Sequence, residues 1–128
     1  MDKKVIQTEN APLPVGPYSQ AVRVGNLLFC SGQISIDPAT NQVLTGGDIK
    51  SQTKLVMENI KALLKEAGGD LGNIVKTTIF LKNMSDFSQV NEVYSSFLTA
   101  PFPARSTVEV SALPKGVDVE IEVIAALY

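Results

Sequence analysis

Pro101-Phe102-Pro103-Ala104-Arg105-Ser106-Thr107-Val108-Glu109-Val110, followed by a turn and by Val117 to Tyr128, is the stretch from which the fold of this chain is best read. It predicts a short strand, a turn at Leu113-Pro114-Lys115-Gly116 and a long last strand, closed on each other as a hairpin. Side chains alternate faces along a strand. One face then carries Ser106, Val108 and Val110 with Val117, Val119, Ile121, Val123, Ala125 and Leu127, a core. The other carries Arg105, Thr107 and Glu109 with Asp118, Glu120 and Glu122, a row of charges. Pro101 and Pro103 restrict how the backbone enters the first strand at Arg105.

An arginine is a planar fork that takes a carboxylate with two bonds. Two readings are open at this point. A glutamate across the hairpin could be the structural mate of Arg105 in a surface ion pair of little energetic weight. It could instead stay free to handle a water while Arg105 holds an anionic ligand.

Working outward, the chain has 128 residues, 45% hydrophobic and 19% charged, enough apolar surface for one ordinary domain and too much for disorder. The formal net charge is -2, so bulk electrostatics draws it to neither nucleic acid nor an anionic membrane. There is no histidine, which removes the commonest general base and metal ligand and every Ser-His triad. One cysteine, Cys30, allows no intramolecular disulfide. It lies between Phe29 and Ser31 as a small buried strand residue, with no base beside it to make a thiolate. The start of the chain lacks a signal-peptide apolar region and no run reaches membrane-spanning length, so a soluble cytoplasmic protein is expected.

In chain order, Val5 to Thr8 is expected as a short strand, and Asn10 to Pro17, with three prolines and a glycine, as an extended loop. The loop delivers Tyr18-Ser19-Gln20 to a hairpin of Ala21–Val24 and Leu27–Ile34 around Gly25-Asn26. Gly32 inside the second strand marks a bulge or a close approach to the backbone. Asp48 is an N-cap for a helix from Ile49 to Ala67, stopped by Gly68-Gly69, with Val56, Ile60, Leu63, Leu64 and Ala67 as its apolar stripe. Ile74 to Lys82 alternates as a strand, with Val75, Thr77, Ile79 and Leu81 on one face and Lys76, Thr78, Phe80 and Lys82 on the other. Ser85 or Asp86 caps a second helix reaching about Leu98, with Phe87, Val90, Tyr94, Phe97 and Leu98 as its stripe. The order is an α+β one: a sheet of five or six strands with two helices on one face. The uncovered face is expected to carry Thr78, Phe80, Arg105, Thr107 and Glu120, a mixed face that is either wet or buried against another copy.

Five fragments, Gly16-Pro17-Tyr18-Ser19-Gln20, Ser31-Gly32-Gln33, Val90-Asn91-Glu92-Val93-Tyr94, Pro103-Ala104-Arg105-Ser106 and Val119-Glu120-Ile121-Glu122, stand in the order and approximate spacing of the RidA family. That family is also called YjgF-like and comprises enamine/imine deaminases. The resemblance covers nearly the whole chain, as one RidA-like domain over residues 1–128. It implies a chorismate-mutase-like α+β subunit with a mixed sheet, assembled as a homotrimer with a cleft at each subunit interface. It also implies cofactor-free hydrolysis of short 2-imino acids, 2-iminopropanoate and 2-iminobutanoate, to 2-oxo acids and ammonia. The resemblance assigns the substrate carboxylate to Arg105 and the water to Glu120, and places Tyr18, Ser31, Gly32, Asn91 and Thr107 around the substrate. Many members carry cysteine where this chain has Thr107, so any contact that needs a thiol is lost here.

The chemistry makes modest demands. An imine is already electrophilic, and hydrolysis needs a held substrate, a placed water and a moved proton; a carboxylate can supply the last two. Arginine does not lose its proton, so Arg105 is the anchor. Two rivals remain: a ligand-sensing or partner-binding trimer using the same anionic cleft without turnover, and a ribonuclease or translation inhibitor, a name some relatives carry. A carboxylate beside the arginine separates the first rival from an enzyme, since a pure carboxylate binder has no need of a second acid. The missing histidine and acidic charge count against the second.

Overall fold

A computed structural model describes residues 2–128. Six strands form one mixed sheet: β1 Lys3–Ile6, β2 Ala21–Val24, β3 Leu27–Gln33, β4 Ile74–Leu81, β5 Ala104–Glu109 and β6 Val119–Ala126. Their lateral order is β1-β2-β3-β6-β4-β5. Two helices, α1 Ile49–Glu66 and α2 Phe87–Ser96, cover one face; α1 lies against β6 and β3, and α2 against α1. This is the α+β sheet with a helical layer that the chain order predicts, and it agrees with the chorismate-mutase-like fold. No helix among the described residues is long and apolar enough to cross a membrane.

The expected terminal hairpin does not form. β4, α2 and β5 make a crossover unit, so β5 pairs parallel to β4 at the edge of the sheet, with Thr77 opposite Arg105 and Ile79 opposite Thr107. β6 instead inserts between β3 and β4, antiparallel to both. The slot suits its sequence. Val119, Ile121, Val123 and Ala125 are buried under the helices, where they meet Leu28 of β3, Ile79 and Leu81 of β4, and Met57, Ile60, Leu63 and Leu64 of α1. β1 begins two residues earlier than expected, and Val75 is exposed rather than in the core because β4 bulges against β6 between Ile74 and Lys76.

Helix boundaries follow local chemistry. The Asp48 carboxylate accepts from the backbone N–H of Lys50 at 3.0 Å, so the expected cap is made. Neither Ser85 nor Asp86 caps α2 through its side chain; a 3-10 turn at Met84–Asp86 leads into it instead, and the Met84 N–H donates to Glu109 Oε1 at 2.8 Å. Buried polar groups tie helices and loops to the sheet. Gln52 of α1 donates to the Asp118 carboxylate at 2.9 Å and accepts from the Asp118 N–H at 3.0 Å. Asn59 donates to the Ile36 carbonyl at 2.9 Å. The NH2 group of each amide has an acceptor, which is what makes its burial tolerable.

Candidate active site

The residues singled out by sequence fall into two groups on opposite faces of the sheet. Residues paired across strands share a face, so Arg105, opposite Thr77, points to the helical side. The expectation that Arg105 and Thr107 share the uncovered face with Glu120 is therefore corrected. The cause is the strand order, since β5 meets β4 in parallel and not β6 in a hairpin.

On the helical side, α2 presents Phe87, Asn91 and Tyr94 at i, i+4 and i+7, one stripe facing the start of β5. Arg105 Nη1 donates to Asn91 Oδ1 at 2.6 Å. The guanidinium carbon sits 5.2 Å from the Phe87 ring centre and 5.3 Å from that of Tyr94. Tyr94 is buried, and its hydroxyl and Thr77 Oγ1 are 3.1 Å apart in a hydrogen bond. A hollow of about 390 Å³ opens here, with Arg105 and Asn91 in its wall and Phe102 at its mouth. Arg105 makes no ion pair; the one ion pair among the described residues is Lys50–Glu92 at 3.0 Å. Thr107 is half-buried beside this group, its Oγ1 has no hydrogen-bond partner among the described residues, and it lines neither of the two hollows described here.

The open face carries Glu120, opposite Phe80 of β4, and Glu122, opposite Thr78. Burial pushes the Glu120 carboxyl above its ordinary range, and the neighbouring charge of Glu122 pushes it further. Gly32 answers directly to Glu120. A Cβ at position 32 would meet the Glu120 carboxylate, lying 2.8 Å from its carboxyl carbon and 3.1 Å from Cγ. The same strand bulges: Cys30 pairs with Val123 and Gln33 with Ile121, so Ser31 and Gly32 together oppose one residue of β6. Both readings of the strand glycine, bulge and close approach, hold.

Tyr18, Ser31, Gly32 and Glu120 line a second hollow of about 440 Å³, whose apolar side includes Leu13 and Val15. Ser31 is turned to structural use: its hydroxyl donates to the Ser19 carbonyl at 2.5 Å and its N–H to the Gln20 carbonyl at 2.9 Å. Gln20, not singled out from sequence, is the pin of the proline-rich loop. Its buried amide accepts from the Thr8 N–H at 2.7 Å and donates to the carbonyls of Thr8, Ala11 and Pro12 at 3.0, 3.1 and 2.7 Å. The loop is thus fixed while Tyr18 stands 52% exposed. Its one sequence signal was a polar side chain at the mouth of an apolar strand. Lys115 also lines this hollow, in a left-handed conformation with φ 57°.

Sequence therefore named the members of both groups, and the structure brings together Arg105 with Asn91, and Glu120 with Tyr18, Ser31 and Gly32, but not the two groups with each other. The Phe87 and Tyr94 rings were missed as site residues because their spacing also reads as a core stripe. Among the described residues no cluster of His, Cys, Asp or Glu could hold a metal ion.

The family model described as Endoribonuclease L-PSP matches residues 8–127. The chain is 57% identical over 125 residues to a RutC family protein of Pyrococcus abyssi, covering 98% of each. It is 49% identical over 125 residues to the 2-iminobutanoate/2-iminopropanoate deaminase of Escherichia coli, covering 95% of this chain and 96% of the other. The crystal structure of E. coli TdcF with bound serine superposes with a TM-score of 0.92 at 42% identity, covering 98% of this chain and 99% of that one. With the family model spanning nearly the whole length and relatives at this identity, the chain belongs to the Endoribonuclease L-PSP family, the YjgF/RidA family.

Proposed function

We propose that this protein is a 2-iminobutanoate/2-iminopropanoate deaminase, a homotrimer whose site joins the Arg105 group of one protomer to the Glu120 group of the next. The observation that carries the proposal is the unpaired state of both charges. Arg105 has no carboxylate partner among the described residues, and the causes acting on Glu120 include no cation. The ion-pair reading of the two residues thereby loses its ground. The open face supports a second copy, since Leu27, Phe29 and Val108 are exposed on it beside Glu120 and Glu122. The relative named as a deaminase, at 49% identity over nearly the whole chain, supports the reaction.

In this reading the substrate carboxylate takes the guanidinium fork of Arg105, which fixes the imine carbon at a set distance from the anchor. Glu120 holds a water against that carbon. The imine reacts as its protonated, iminium form: as the water attacks, one of its protons passes to the Glu120 carboxylate, and the C=N π pair moves onto nitrogen to give a neutral carbinolamine. Glu120 returns that proton to the amino group, ammonia leaves with the C–N bond pair, and the hydroxyl proton passes through the Glu120 carboxylate to the departing ammonia as the C=O of the 2-oxo acid forms. A carboxyl raised by burial is a stronger base than an ordinary one, which suits the first transfer. No step calls for a cofactor.

One observation favours a second reading, a binding module without turnover: the relative TdcF is seen with serine, an amino acid and not an imine. The family description as an endoribonuclease finds no support in the site, which offers one arginine and no histidine. The deciding experiment measures ammonia and pyruvate released from iminopropanoate generated in situ by a serine dehydratase. Acceleration over the spontaneous rate supports the deaminase; no acceleration, with pyruvate still bound, leaves the binding module.

A further inference from the structure

We infer that Phe87 and Tyr94 are positioning residues for Arg105: their rings hold the guanidinium so that its carboxylate-binding edge is set before the ligand arrives. The inference rests on the proposed role of Arg105 as carboxylate anchor. A free arginine on an edge strand has many rotamers, and ordering them on binding would weaken affinity. Here the ordering is built in. Two rings lie 5.2 and 5.3 Å from the guanidinium carbon, within cation–π range, and Asn91 takes Nη1 at 2.6 Å. Nε and Nη2 make no hydrogen bond among the described residues, which leaves the side-on donor pair of a two-bond fork.

The Tyr94 ring is itself fixed. Tyr94 is only 4% exposed, and its hydroxyl is tied at 3.1 Å to Thr77 Oγ1, which is fully buried. Thr77 is also the residue opposite Arg105 in the β4–β5 register. The connection closes on itself: β4 holds Thr77, Thr77 holds Tyr94, Tyr94 faces the guanidinium, and Arg105 returns through the backbone of β5 to β4. Any shift of the guanidinium has to break a contact in this ring or bend the sheet edge.

The test uses Phe87→Leu, Phe87→Tyr and Tyr94→Phe in the full chain, alone and with Arg105→Lys. Four quantities are read: the Kd for pyruvate by calorimetry, KM, kcat and Tm. Losing one ring should weaken pyruvate binding and raise KM by about threefold to tenfold in Phe87→Leu, with kcat nearly unchanged, because the anchor serves ground and transition states alike. Phe87→Tyr should retain wild-type affinity. Tyr94→Phe, which keeps the ring and frees its tether, should show a smaller rise in Kd. In the Arg105→Lys background the Phe87→Leu effect should shrink, because the two act through one contact. A lowered Tm with unchanged Kd and KM would make Phe87 a packing residue only and overturn the inference. An equal loss with or without Arg105 would overturn it too, as would a wild type that does not bind pyruvate. A wild type that binds pyruvate without releasing ammonia sinks the deaminase reading alone, and the Kd series still decides the role of the rings.

Discussion

Two inactive variants, mixed, should recover activity. In one protomer Arg105 and Glu120 lie on opposite faces of the sheet, so no single chain can present both to one substrate. Arg105→Ala removes the anchor and keeps Glu120; Glu120→Gln removes the base and keeps the anchor. On the proposed shared site, neither homogeneous assembly has a complete one. When equal amounts are unfolded and refolded together, a site works only if its Arg105 comes from the Glu120→Gln chain and its Glu120 from the Arg105→Ala chain. Random head-to-tail assembly makes the two choices independent, so about one quarter of wild-type activity should return. The assay is ammonia and 2-oxo acid release from a generated imine, with each variant refolded alone as control and subunit mass followed by light scattering. Recovery near zero in mixed trimers would refute the shared site. So would a monomer mass at micromolar concentration in an active wild-type sample.

Three further outcomes are expected. Gly32→Ala places a Cβ against the Glu120 carboxylate, 2.8 Å from its carboxyl carbon; the flexible side chain can swing away with little loss in Tm, yet a water holder displaced by about 1 Å should lose roughly tenfold to a hundredfold in kcat/KM. Unchanged kcat/KM there would remove Glu120 from the chemistry. For Glu120, a folded carboxyl raised by burial and by Glu122 contributes stability that is full below the ordinary glutamate range and is lost as pH rises through its raised value, so Glu120→Gln should raise Tm at neutral pH, flatten the Tm–pH profile and abolish turnover. Cys30→Ser should leave kcat/KM nearly intact, because burial pushes the thiol up to about 12 and no thiolate exists at neutral pH; a hundredfold loss in a folded protein would overturn that.

The parts of the fold legible in sequence are those with one apolar face. β6 alternates valines and isoleucines with polar residues, and α1 carries a stripe at helical spacing, so both elements and their buried faces were legible, although the neighbours of β6 were not. β5 was not. Arg105, Ser106, Thr107 and Glu109 put polar groups on both faces of an edge strand, so alternation fixes neither its orientation nor its partner. The partner was set by α2, whose crossover returns the chain parallel to β4, a long-range fact that short patterns do not carry. The same limit governed the site. Tyr18, Ser31, Gly32, Asn91, Arg105 and Glu120 were nameable one by one, but which of them meet depends on strand order. Val75 shows the local version, where one bulge reverses the face that simple alternation assigns.

The separation has a chemical consequence that a one-sided arrangement would lose. Were Arg105 and Glu120 side by side in one chain, they would form a salt bridge. The carboxyl would then fall below its ordinary range and cease to be a useful base, and the fork would be filled before any substrate arrived. The sheet between them prevents this. Glu120 stays raised by burial and by Glu122, with no cation relieving it, and Arg105 is satisfied at Nη1 by a neutral amide and lies over two aromatic rings, none of which cancels its charge. In the proposed trimer, assembly brings a strong base and an empty fork to the two ends of a small imino acid. A site built this way reserves its charges for the substrate.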